Sequence, residues 1–471
     1  MNMGHETLLI ARLFFWMFTA GTVLLPGRWA VLSYLLLVQF DLTGSAFYSS
    51  EILGWENAVK VIVVPTILFF RLRPIDFLNS NIVKVGRIWI LLAAYAALAV
   101  LWSPFKLSAV KMLGYFYAYT VLFIVFAAAW RSGWLTANAL ISVLWASLAF
   151  AVLQTYVLGN TYGSFEAANA VVDFEWRFTS FTGAQSFAAF LLCILTILLF
   201  RERWRLSVLA ACAGATIGIV LTGSRSIFLG FAWILTLVAV LFSKKAGHKI
   251  SLAVVARRMA LSFAALLVVA AGVLKALPEN RLNEMLSAAV TSENSLQDVG
   301  TFMWRFSLYQ KTLDELVGRS LKTKLLGSGT SSAAGLVLQT GFFSESNVDP
   351  NRALHDEFLR SAYEWGAIGI VLLLAFLIQV VVICIRLIRD HDSGEAWTFL
   401  AILVPLLISL AVENFLADSA SPGGVAYNLV LSSMLACGSL HSRSAAAAAA
   451  PGSVQVFAVQ PAGTPGAWST S

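Results

Sequence analysis

Apolar residues in this chain come in long runs rather than in the alternation of a strand. Runs of about 17 to 25 residues recur, each long enough to cross a hydrocarbon core of about 30 Å as a helix. They predict spans at 8–25, 29–47, 57–70, 86–102, 108–130, 135–158, 181–200, 206–222, 226–243, 258–277, 364–385, 396–416 and 424–440. Pro26, Asp41, Glu51 and Pro65 interrupt the first three. The pattern predicts an all-α fold, a polytopic transmembrane helical bundle of about 12 spans with one long, partly helical outer loop. Transmembrane helices then occupy 1–277 and 358–440, separated by the loop 278–357 and followed by a tail, 441–471.

Composition removes the soluble alternative. With 59% hydrophobic and 12% charged residues in 471, and a mean hydropathy of +0.80, a water-soluble globule would lack the polar residues to cover its surface. The net charge of +7 would suit nucleic acid only if the basic residues formed one patch. Instead they mark short loops: Arg71 and Arg73; Arg201, Arg203 and Arg205; Lys244, Lys245, Lys249, Arg257 and Arg258; Arg386 and Arg389. Even numbers of predicted spans separate successive clusters, so the positive-inside rule places all four on the cytoplasmic side. Residues 159–180, 222–225, 278–357 and 417–423 then lie on the outer face, where function is expected.

Several features carry little chemistry. The tail from about 441, with its Ala run 445–450 followed by Pro, Gly, Ser and Thr, reads as cytoplasmic and disordered. Cys193, Cys212, Cys384 and Cys437 lie in or beside apolar runs with no CxxC spacing, and read as small packing residues. The first apolar run follows His5 and Glu6 without a cationic n-region or cleavage site, so the first span is expected to stay in place.

The loop 278–357 shows signs of folding. Phe302, Phe306, Tyr309, Leu313 and Leu316 follow at steps of three and four, which predicts a helix with one apolar stripe lying against the membrane's outer face. Gly327, Gly329 and Gly335, among Ser328, Thr330, Ser331 and Ser332, predict a flexible turn. No Lys follows its glycines, so a Walker phosphate loop is not supported.

Two positions stand out chemically. Arg225 joins two apolar runs, and a guanidinium that keeps its proton must meet an anion, backbone carbonyls or water there, or else snorkel to the interface. His355 lies at the outer boundary within reach of Arg352, Asp356, Glu357 and Arg360. Imidazole is suited to taking a proton near neutral pH, and an adjacent Asp can orient it. The plainer reading is a helix start, with Asp356 and Glu357 favouring the dipole and the ring only packing.

Taken in order, these pieces resemble the O-antigen ligase and polymerase superfamily over roughly residues 170–390. The matching elements are Gly223-Ser224-Arg225-Ser226, Arg305 on the loop helix, Gly327-Ser328-Gly329, and His355-Asp356 followed by Gly366 and Gly369. The stretch 176–192, WRFTSFTGAQSFAAFLL, resembles a further element of that family. Two positions depart from its pattern: Asp356 stands where Asn, Ser or Gln is usual, and Gln185 where Asn is common. The resemblance implies transfer of a glycan from an undecaprenyl-diphosphate carrier to an acceptor, at the periplasmic face of the bacterial inner membrane. It implies no cofactor, nucleotide sugar or metal. Its partners would be the lipid-linked donor, a glycan or lipid A-core acceptor, membrane lipids, and a chain-length regulator and flippase, with no nucleic acid.

In that chemistry Arg225 and Arg305 would stabilise the departing diphosphate, and His355 would act as general base in an inverting attack. Arg177, Arg352, Asp356, Ser224 and Ser226 are accompanying substrate-binding candidates, and Trp304, Tyr309 and Trp365 are candidates for stacking on sugars. The plain readings remain open: Arg305 as a solvated residue on a polar helix face, Arg177 as an interfacial anchor beside Trp176 and Phe178, and Glu413 and Asn414 as interhelical hydrogen-bond partners. The leading function is a polysaccharide polymerase for O-antigen, capsule or exopolysaccharide, and the alternative is a ligase. A transporter or flippase is a third reading, against which stand the lack of an inverted repeat and of mid-span acids.

Overall fold

The computed structural model of the chain describes residues 3–40, 55–74, 78–158, 178–202, 205–245, 300–339, 354, 356–391, 394–412 and 421–437. α1 (Met3–Leu24) and α2 (Gly27–Leu37) make a hairpin at Pro26. α3 begins as Trp55–Ala58, widens through a π turn, Val59–Val63, and continues as Val64–Leu72. α4 (Ser80–Ala99) ends in a 3-10 turn, Val100–Trp102, before α5 (Lys106–Arg131); α6 (Ala137–Val152) ends in a π turn, Leu153–Val157. α7 (Ala184–Arg201), α8 (Leu206–Thr222) and α9 (Arg225–Lys245) follow. α10 (Gly300–Gly318), α11 (Leu321–Leu326) and α12 (Ala334–Gln339) belong to the long loop, and α13 (Glu357–His391), α14 (Gly394–Val412) and α15 (Pro422–Cys437) close the bundle.

The apolar runs that fall on described residues all become helices, and the regular structure there is entirely helical. Six of the described helices are long and apolar enough to cross a membrane, and shorter apolar helices stand beside them, so the chain is a multi-pass membrane protein. The predicted span 258–277 and the tail 441–471 lie outside the described residues. The expected span 29–47 is shortened, because α2 stops at Leu37 and the chain turns through Phe40. The reason is local: Gln39 is buried and accepts a hydrogen bond from Ser180 Oγ at 2.9 Å, and Phe40 stacks on Phe181 at 5.1 Å.

Side-chain contacts show which helix ends lie together. Arg201 at the end of α7 pairs with Glu395 at the start of α14 at 3.2 Å and lies 4.2 Å over the ring of Trp130 at the end of α5. Arg205 donates to Asn138 at 2.6 Å, and Asn79, before α4, donates to Leu435 O at 2.6 Å. At the other end, Gly423 N donates to Ser186 Oγ at 3.0 Å, Phe178 N to Leu221 O at 3.4 Å, and Ser103 Oγ to Thr330 O at 2.6 Å. The α8–α9 corner, the segment 178–183 and the loop turn at 327–333 therefore share the end opposite Arg201 and Arg205.

α13 is broken at Gly366, whose φ of 63° and ψ of −159° belong to a region that only glycine enters at low cost. The loop turn enters this break. Ser328 N donates to Tyr363 O at 3.1 Å and Gly329 N to Glu364 O at 2.9 Å. The approach is so close that a Cβ on Gly327 would stand 2.2 Å from Glu364 O, and one on Gly366 2.5 Å from Gly327 N. On the far side of the turn, a Cβ on Gly329 would meet Ser103 Cα at 2.6 Å. The glycines serve close packing of three backbones, not the flexibility read from the sequence.

Gly366→Ala is expected to cost about 2 kcal/mol or more, from the strained backbone and the forced separation of the loop. Gly86→Ala, where a Cβ would meet nothing within 4 Å, is the control. Thermal unfolding in detergent should show a clear loss of Tm for the first and essentially none for the second.

Candidate active site

The α8–α9 corner is built by Gly223, in the left-handed region at φ 65°, which caps α8. Thr222 Oγ1 donates to Ile219 O at 2.7 Å, and Ser224 is buried with its carbonyl accepting Phe228 N at 3.2 Å. α9 therefore opens at Arg225, and its unsatisfied first N–H groups give this spot a positive dipole end alongside a guanidinium-bearing residue. For Arg225 and Ser226 the helical backbone is described, not the side chains. Arg177 and Arg352 lie outside the described residues; Phe178, which follows Arg177, is tied to the same corner through Leu221.

The side chains of α10 are described from Leu308 onward. Leu308 and Thr312 are its buried positions, while Leu313, placed on the apolar stripe by the sequence pattern, is exposed. The helix packs through Leu308, with Leu316 beside it, into a small core with Ala333, Leu336, Leu354 and Tyr363. Further along, Tyr363 Oη donates to Glu315 at 2.8 Å, while Arg319 donates to Tyr363 O at 3.0 Å and lies 3.5 Å over its ring. Leu308 shares a small core with Leu354 and Tyr363, and Glu315 and Arg319 reach Tyr363, so α10 packs against the start of α13. Arg305 lies on α10, one turn before Leu308. Its side chain is not among those described.

His355 also lies outside the described residues, between Leu354, which is fully buried, and Asp356. Asp356 caps α13, its Oδ1 accepting Leu359 N at 2.8 Å. Burial raises its carboxyl pKa above the ordinary value, opposed by the backbone N–H groups of Leu359 and Phe358.

One turn on is a group that sequence reading passed over. Arg360, 2% exposed, bridges Glu357 at 3.2 Å and Glu364 at 3.4 Å, both fully buried, and donates to Met112 Sδ at 2.8 Å. The Glu364 carboxylate also faces the backbone N–H groups of Ser331 and Ala333 in the loop turn. Charges at steps of three and four on a helix that is otherwise apolar are the signal that would have found it. Trp365, expected as a sugar-stacking ring, is fully buried and donates Nε1 to Thr330 Oγ1 at 3.0 Å, which in turn donates to Ala96 O at 2.6 Å. Among the described residues no group of three or more His, Cys, Asp or Glu is placed to hold a metal ion.

Residues 208–374 match the model of a family described as O-antigen ligase. The match runs from α8 into α13, and it contains the corner at 223–226, Arg305, the turn 327–329, His355, Gly366 and Gly369. The match supports the resemblance to the O-antigen ligase and polymerase superfamily over that stretch. No curated protein matches the chain.

Because Asp356 is more easily protonated in the folded protein than in the unfolded chain, its contribution to stability is complete below the unfolded pKa of about 3.9 and is lost as pH rises through the folded value. Asp356→Asn keeps an acceptor for Leu359 N without the charge. The Tm of this variant should exceed that of the wild type at pH 7, with the difference shrinking towards pH 4; a difference that grows on acidification would refute the assignment.

Proposed function

We propose that this chain, through its O-antigen ligase segment, joins undecaprenyl-diphosphate-linked oligosaccharide repeat units at the periplasmic face of the bacterial inner membrane. The observation that supports the reading is that α10, which bears Arg305, packs against the start of α13 and shares a core with Leu354, the residue before His355. The α8–α9 corner, where Arg225 opens α9, lies at the same end of the bundle. Positive guanidinium groups and a helix N-terminus favour a multiply charged diphosphate.

In the proposed step the acceptor hydroxyl oxygen bonds to the anomeric carbon while the carbon–oxygen bond to the diphosphate breaks. The electron pair leaves with the diphosphate, where Arg225 and Arg305 stabilise it, and the hydroxyl proton passes to His355. Attack opposite the leaving group inverts the anomeric centre. The diphosphate already leaves well, so the carboxylate pair of a glycosidase is not required. The buried Glu357–Arg360–Glu364 group holds the segment bearing His355 and takes no part in the transfer itself.

The description of the matched family favours a second reading, transfer of finished glycan onto lipid A-core or another acceptor. Both reactions use the same cations and differ in the acceptor.

Single alanine replacements at Arg225, Arg305 and His355, with membrane abundance checked, should each lower transfer by about 10²-fold or more. Retained assembly in all three would reject the site. The glycan pool separates the two reactions: a lost polymerase leaves single repeats on the carrier, whereas a lost ligase leaves long chains on it. Formation of a new glycosidic bond by the purified protein would also exclude a transporter.

A further inference from the structure

On α10 the aliphatic Leu313 and Val317 are exposed beside Gln310 and Asp314. Past the break at Arg319–Ser320, Leu321 and Leu325 of α11 are exposed as well, with Val317 76% and Leu321 73% exposed. A water-facing loop would not be expected to show four large aliphatic side chains within 13 residues.

These side chains have a definable depth. α11 ends against the break of α13, where a Cβ on Gly366 would lie 2.5 Å from Leu325 O. From Gly366 to the exposed Arg386 near the basic end is 20 residues of helix, about 30 Å at 1.5 Å per residue, which matches the hydrocarbon thickness. If that length spans the hydrocarbon, α11 is set at its outer boundary. Below the break α13 also exposes Val371 and Ile378, the aliphatic surface of a membrane span. Lys322 and Lys324 are exposed beside Leu321 and Leu325, and Lys324 is held there by donating to Val317 O at 2.8 Å. Ammonium groups at that level complement the phosphates of acidic lipid headgroups.

We propose that α10 and α11 are seated in the outer leaflet of the bilayer, with Leu313, Val317, Leu321 and Leu325 immersed among acyl chains and Lys322 and Lys324 at the headgroup phosphates. The loop is thus an interfacial element, so a lipid-linked molecule can approach the turn at 327–329 from within the membrane plane. The seating itself does not rest on the transferase reading.

The test uses the full chain in nanodiscs of phosphatidylcholine and phosphatidylglycerol, with Cys437→Ser and a spin label at Val317→Cys or Leu321→Cys; Cys193, Cys212 and Cys384 are buried. Seating in the leaflet predicts collisions with oxygen that exceed those with an aqueous nickel chelate severalfold at both positions. Dominant nickel collisions would overturn it by showing a water-facing loop, and low collisions with both reagents would overturn it by showing cover from protein, either another segment or a second copy. Lys322→Gln with Lys324→Gln should make the labels shallower when phosphatidylglycerol is present, and an unchanged depth would refute the headgroup contact.

Discussion

Two backbone hydrogen bonds, from Ser328 and Gly329 to the carbonyls of Tyr363 and Glu364, hold this end of the molecule together. They exist because Gly366 breaks α13 and because Gly327 lacks the side chain that would block contact. A buried carbonyl without a partner is costly, more so beside lipid, so the break and the loop turn require each other. Everything attached to the turn is positioned by that dependence: Thr330 on Ala96, Trp365 on Thr330, and Ser103 on Thr330.

Charge is arranged around the same joint. Arg360 lies between two buried carboxylates, one of which faces the N–H groups of Ser331 and Ala333. Removing one partner of such a buried group leaves an uncompensated charge, a loss of about 3–5 kcal/mol in comparable cases. The start of α13 is thereby made rigid just after His355, while Tyr363, Glu315 and Arg319 tie α10 to it. The proposed transfer needs a fixed separation between its general base and the cations that receive the leaving group, because misplacement of about 1 Å can cost 10²-fold in rate.

The spans were legible because helix-length apolar runs have no alternative in a bilayer, and the basic loops around Arg71, Arg201 and Arg386 mark one face without any tertiary information. The motif glycines were legible as positions but not as causes: Gly327, Gly329 and Gly366 read as a flexible turn until the three backbones they bring together are seen. The packing of α10 through Leu308 and Thr312 was not legible, because neither position belongs to the apolar stripe that the period picks out. The π turns at Val59–Val63 and Leu153–Val157 leave no mark in an apolar period. The Glu357–Arg360–Glu364 group was hidden because its two acids and one base look like ordinary helix-start charges until burial is known.

The proposed site requires the joint at Gly366 to hold Arg305 of α10 close to His355. Cross-linking of an Arg305→Cys, His355→Cys double variant in native membranes, with a bifunctional thiol reagent of about 10 Å reach, tests it most directly. The account predicts efficient intramolecular cross-linking that is lost when Gly366→Val is added. Absence of the cross-link in an otherwise folded, abundant protein, or its survival undiminished with Gly366→Val, would contradict it.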